Sequence, residues 1–130
     1  MPVDSSLDGI FFLSAIEVPA DAGTRGIVAI GDSLTISNIS TVGANNRWPD
    51  QLGRRFAERD AAAMPGIMNQ GIGGNRIVHP SRGGSMQQRF DRDVIAQPGV
   101  THAIVFLGIN DIRNRNRKPE EDVTAGELIA

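Results

Sequence analysis

Three short segments of this 130-residue chain carry groups that could do chemistry. Ser33 follows Gly31-Asp32 at the end of an apolar, β-branched run. A rigid strand there can hold the backbone while the hydroxyl faces a cleft as a nucleophile. The same residue types are ordinary turn formers, and the serine could equally bond its own backbone. Gly71-Ile72-Gly73-Gly74 lets backbone N–H groups approach a ligand with no Cβ in between. A phosphate cradle competes with that use, although neither the dinucleotide nor the P-loop glycine pattern is matched. Asn110, in Gly108-Ile109-Asn110-Asp111, offers a carboxamide donor or a plain turn. The proton acceptors are few, since His79 and His102 are the only histidines.

Those segments need elements to hold them. Gly26 to Ile30 is short and apolar throughout, as suits a strand covered on both faces. Ile67-Met68-Asn69 is a weaker strand, and Ala103 to Leu107 repeats the buried-strand pattern. Trp48, Leu52 and Phe56 recur at helical spacing around Pro49, and Met86, Phe90 and Val94 make a second such stripe. Ser85 and Gln88 have the spacing of a capping box for the second helix. Pro119 opens a last predicted helix containing Val123, Leu128 and Ile129. Alternation of this kind predicts right-handed crossovers and a parallel sheet with helices on its faces. Ligand-binding loops in such sheets leave the carboxyl ends of the strands. Gly31-Asp32-Ser33, Gly71 to Asn75 and Gly108 to Asp111 should therefore meet in space.

Composition removes whole classes of function. Cys is absent, which excludes disulfide scaffolds, Cys-ligated zinc, iron–sulfur clusters and thiol catalysis. Two histidines leave little room for a multi-histidine metal site, so no metal or cofactor is expected. With 15 acidic against 13 basic residues, a net charge of -2 argues against a general nucleic-acid or anionic-membrane binder. No apolar run approaches the roughly 20 residues needed to span a bilayer. Asp4, Asp8 and Glu17 make the N-terminus a poor signal peptide. The length points to a single domain.

Taken jointly, the three segments resemble the GDSL, or SGNH, hydrolase family. Gly31-Asp32-Ser33-Leu34 is similar to the family's first block, Asn69-Gln70-Gly71-Ile72-Gly73-Gly74-Asn75 to the second, and Gly108-Ile109-Asn110-Asp111 to the third. The resemblance covers about residues 26–130, with the blocks in the family's order. It implies an α/β fold, a three-layer α/β/α flavodoxin-like parallel sheet, and a carboxylic-ester hydrolase. By the same resemblance Ser33 stands in the place of the nucleophile, and Gly74 and Asn110 in the places of oxyanion-hole donors. The substrate implied is a small-molecule or carbohydrate ester. The stretch Asn45-Asn46-Arg47-Trp48-Pro49-Asp50 is similar to branches that contain carbohydrate esterases and arylesterase-like acylhydrolases.

Two departures qualify the resemblance. The family's Asp-x-x-His block is missing: Arg76 lies three residues before His79, and Gly99 three before His102. His102 begins its predicted strand, and at about 3.3 Å per residue it is expected on the order of 20 Å from the reactive edge, in a structural role. His79 follows the second block, with no carboxylate evident to orient it. The family's domain also normally continues beyond the third block. Residues 25–130 are therefore expected to form the N-terminal portion of an incomplete hydrolase domain, inactive or weak as it stands. Residues 1–24, with a strand read over Ile10 to Val18, resemble a linker and the remnant of a β-rich domain that precedes the hydrolase in some relatives. The alternatives are a non-catalytic ligand-binding protein on the same scaffold and a nucleotide-binding domain using Gly71 to Asn75.

Overall fold

The computed structural model of the chain describes residues 16–37, 39–114 and 117–129. Its sheet is built on Gly26–Gly31 (β1), all six residues of which are buried. A strand without a polar side chain has no face to present to water, so it takes the middle position. Gly66–Gly71 (β2) and Val100–Phe106 (β3) flank it in the order β2-β1-β3, both pairings parallel.

Register assigns each side chain to a face. Ile27 pairs with Ile67 and His102, and Val28 with Met68 and Ala103. Val28 and Ile30 form a core with Val94, around which Met68, Met86, Phe90 and Val100 pack. Met86–Phe90 (α3) and the π-helical turn Asp91–Ile95 that continues it cover this side. Trp48–Arg59 (α2) covers the other: a Cβ at Gly53 would lie 3.5 Å from Ile67 Cδ1. Trp48 also meets Phe106 edge-to-face, with ring centroids 6.3 Å apart. The result is the α/β/α layering that the alternation predicts.

Helix starts obey their local signals. Ser85 Oγ accepts from Gln88 N at 3.3 Å, and Gln88 Oε1 accepts from Ser85 N at 3.0 Å. Two short helices, Ser33–Ile36 (α1) and Ile109–Asn114 (α4), follow the carboxyl ends of β1 and β3.

Three expectations need correcting or fall away. β3 is not a buried strand, since Val105 is 51% exposed and Phe106 49%. Composition identifies a strand, but burial requires a neighbour, and among the described residues β3 pairs only with β1. The helix expected from Pro119 is broken into a 3₁₀ turn, Pro119–Glu121, and a separate helix, Ala125–Ile129 (α5). A second local signal wins there: Thr124 Oγ1 accepts from Glu127 N at 3.2 Å while Glu127 Oε2 accepts from Thr124 N at 2.7 Å. That reciprocal pair starts the helix late. Residues 10–15 of the expected N-terminal strand lie outside the described residues, and residues 16–18 join no element.

Candidate active site

β1 ends at Gly31, and Asp32 at once caps α1, so Ser33 is the first residue of a helix. Asp32 Oδ1 accepts from Leu34 N at 2.9 Å, which turns the chain sharply and leaves Ser33 half-buried. Bringing a helix this close to the sheet needs bare backbone beneath it. A Cβ at Gly31 would run into the Thr35 side chain, and one at Gly71 would stand 3.0 Å from Ile36 Cα. Asn69 then ties α1 to β2, its Nδ2 donating to Thr35 O at 2.9 Å and its Oδ1 accepting from Gly71 N at 2.9 Å.

The second loop turns directly out of β2. Asn75 N donates to Ile72 O at 3.0 Å, and Gly74 takes a φ of 78° within that turn. A left-handed residue at this place of a type II turn favours glycine. The turn's own hydrogen bond uses Asn75 N, not Gly74 N.

Asn110, on α4, joins the two loops. Its carboxamide Nδ2 donates to Asn75 O at 3.0 Å and to Asp32 Oδ2 at 3.4 Å, with the residue 9% exposed. One buried side chain thus binds the sequence neighbour of Ser33 and that of Gly74. The three segments converge at the carboxyl end of the sheet, although both amide contacts of Asn110 are made within the protein.

The carboxylates beside these residues are held by the same frame. Asp32 is occupied as helix cap and acceptor from Asn110. Asp111 Oδ2 accepts from Ile77 N at 2.9 Å, and its Oδ1 faces Arg76 Nε at 3.6 Å. Arg76, also buried, reaches on to the Glu121 carboxylate and donates to Glu121 O at 3.1 Å. Hydrogen bonds from Lys118 and then Arg76 hold the Glu121 carboxyl below its usual range. Arg89 is the second buried arginine, and with Asp93 it shows the i, i+4 spacing of a helical ion pair. That spacing is the one sequence signal that could have singled it out. Arg76 carries no such signal.

Neither histidine forms a dyad with these carboxylates. His102 lies at the amino end of β3 opposite Ile27, with Nδ1 2.8 Å from Thr101 Oγ1. His79 is half-buried in the segment after the second loop. The Glu127 carboxyl is held below its usual range first by the Thr124 backbone N–H, then by the Thr124 hydroxyl, and also by the charge of His79. Glu127 is already engaged in capping α5.

A cleft of about 520 Å³ lies at the far end of the sheet, between residues 21–25 and the end of α2, and includes none of Ser33, Gly74 and Asn110. Among the described residues no group of three His, Cys, Asp or Glu is placed to hold a metal ion. No helix among them is long and apolar enough to cross a membrane.

The sequence matches the model of the GDSL-like Lipase/Acylhydrolase family over residues 29–130. Among solved structures the chain is similar to AlinE4, an SGNH-hydrolase family esterase, at 26% identity and a TM-score of 0.57, over 78% of this chain and 49% of that one. It is also similar to a variant of Axe2, an acetyl xylan esterase from Geobacillus stearothermophilus. The identity there is 22% and the TM-score 0.60, over 79% of this chain and 49% of that one. A catalytic mutant of the same esterase matches at 23% identity and a TM-score of 0.60, over 82% of this chain and 51% of the other. The Axe2 likeness is one of fold. No curated protein matches the chain. It spans about half the length of these solved structures.

Proposed function

Because the chain belongs to the GDSL-like lipase/acylhydrolase family, we propose that it carries the nucleophile and oxyanion-binding groups of a serine carboxylic-ester hydrolase. Ser33 Oγ attacks the ester carbonyl. The backbone N–H groups of Ser33 and Gly74 and the carboxamide of Asn110 donate to the oxyanion. The supporting observation is the bridge by Asn110 between Asn75 O and Asp32 Oδ2, which draws the three groups to one edge. Of its two contacts the one at 3.4 Å to Asp32 is weak by length, and it is the one an oxyanion replaces.

The chemistry runs in two steps. Collapse of the first tetrahedral intermediate expels the alcohol, which takes up the proton lost by Ser33, and leaves an acyl-serine. Water then attacks that ester and releases the acid, returning a proton to Ser33. A base must carry these protons, and His79 is the histidine nearer this edge, without a dedicated carboxylate partner. For residues 1–130 taken alone turnover is slow: the oxyanion hole and binding alone typically leave about 10³–10⁴-fold over water. The substrate is read as a small-molecule or carbohydrate ester, a range supported by the Asn45-to-Asp50 stretch.

Hydrolysis of an aryl acetate tests the reading. Ser33→Ala should abolish it, and Asn110→Ala should lower kcat by about 10²–10³-fold, as loss of one oxyanion donor does. Unchanged hydrolysis in Ser33→Ala overturns the proposal. A second reading, a non-catalytic binder on the same scaffold, draws support from the internal engagement of Asn110. It forecasts no Ser33-dependent hydrolysis.

A further inference from the structure

We propose that Arg89 is a positioning residue for the hydrolytic site, setting the spacing between the strand end that leads into Ser33 and the loop that carries Gly74. This rests on the functional reading above. Arg89 rises from α3 beneath the site and is 2% exposed. Its Nη2 donates to Gly31 O at 3.0 Å, two residues before Ser33. Its Nη1 donates to Gln70 O at 2.8 Å, at the end of β2. Its Nε donates to Asn75 Oδ1 at 3.1 Å, beside Gly74. One planar fork therefore holds the carboxyl ends of two strands and the turn that follows β2. Asn75 extends the same frame, its backbone oxygen accepting from Asn110 Nδ2 and its side chain donating to Gly84 O at 2.8 Å.

The choice of side chain fits this task better than it fits core packing. A buried ion pair is weak support for stability, and apolar residues of similar volume often replace one without loss. The guanidinium has five donors in fixed directions, which an ammonium on a flexible stem cannot reproduce. Arg89 meets its charge requirement through Asp93 Oδ2, on the π-helical turn, which accepts at 2.9 Å from the same Nη1 that donates to Gln70 O. The neutralising partner and the aligning partners are nevertheless different residues, so a substitution at Asp93 removes the first and leaves the acceptors at Gly31, Gln70 and Asn75 in place.

The test uses the full chain, with urea midpoints and the kcat and KM of aryl acetate hydrolysis for the parent, Ser33→Ala, Arg89→Lys and Asp93→Asn. Arg89→Lys keeps a charge for Asp93 but loses the fork. Its kcat should fall by at least about 10-fold, within the range a misplacement of ångström size produces, while KM stays within about two-fold. Asp93→Asn removes the counter-charge and none of the bonds to Gly31, Gln70 or Asn75. It should lower the urea midpoint while keeping kcat within about two-fold of the parent. Parental kcat in folded Arg89→Lys overturns the proposal, as does an equal loss of kcat in Asp93→Asn. Should Arg89→Lys fail to fold, Asn75→Ala serves instead, because it removes the loop acceptor of the fork, together with the bond to Gly84 O, and leaves Arg89 itself in place; parental kcat there overturns the proposal too. A parent without Ser33-dependent hydrolysis overturns the functional reading itself and this inference with it.

Discussion

Gly71→Ala probes how tightly the strand end is built into the frame of the nucleophile. The added Cβ would stand 3.0 Å from both Ile36 Cα and Asn69 Oδ1, and closer still to Ile36 N. Carbon atoms settle at about 3.5–4.0 Å, so α1 or β2 must retreat by roughly 0.5–1 Å. Neither is free to do so. Gly71 is paired with Gly31 in the sheet, and Asn69 bonds both Gly71 N and Thr35 O. Overfilling a packed site costs about 1–3 kcal/mol, and the upper part of that range is expected because the main obstacle is backbone. Against a domain stability of about 5–15 kcal/mol, urea denaturation resolves such a loss as a lower midpoint at constant m. Since α1 begins at Ser33, the same retreat moves the hydroxyl. A displacement near 1 Å can cost about 10²-fold, so kcat/KM for an aryl acetate should fall on that order. Gly66→Ala, at the other end of β2, is the control, because nothing lies within 4 Å of its Cβ. It should stay within about 0.5 kcal/mol of the parent and hydrolyse at the parental rate. Equal midpoints and rates for the two variants would refute the reasoning.

Two further outcomes follow from named contacts. Ser85→Ala removes the acceptor for Gln88 N at the start of α3 and should destabilise by about 1 kcal/mol in urea; Ser85→Thr, which keeps the acceptor, should recover most of the loss. Asp93 produces an acid limb. Burial disfavours its ionised form, but hydrogen bonds from Arg92 and Arg89 and their charges prevail and hold the carboxyl below its ordinary 3.8. A carboxyl held lower in the folded than in the unfolded state contributes stability that is present above 3.8 and is lost as pH falls through the folded value. The parent's urea midpoint should therefore fall faster than that of Asp93→Asn below about pH 4, the two curves converging in acid. Curves that stay parallel from neutral pH downward would count against the assignment.

Much of the scaffold was legible because its signals are local. The unbroken apolar run of β1 marks a strand covered on both sides, and the Ser85–Gln88 pair marks the start of α3. Both are interactions completed within a few residues, so they survive in any tertiary setting. Where two local signals compete, reading is less secure: Pro119 and the Thr124–Glu127 pair each announce a helix start, and the second prevails. β3 shows the other limit. Its residues state that it is a strand, yet whether it is covered depends on what pairs beyond it.

The sequence by itself determined the alternation of strands and helices, the three segments at the carboxyl edge, and the residue types placed there. Membership of the family was visible in those blocks, since a hydroxyl, bare glycines and a carboxamide at such separations carry the resemblance without any coordinates. Only the tertiary structure decided how the charges around them are used. Arg89 bonds Gly31 across 58 positions, and Asn110 reaches Asp32 across 78. No periodicity encodes partners so far apart, because they meet only after the sheet has formed and the crossovers have docked. Burial then leaves each polar group needing a partner, and the frame that bonds Asp32 and Arg89 and sets Arg76 against Asp111 is the consequence.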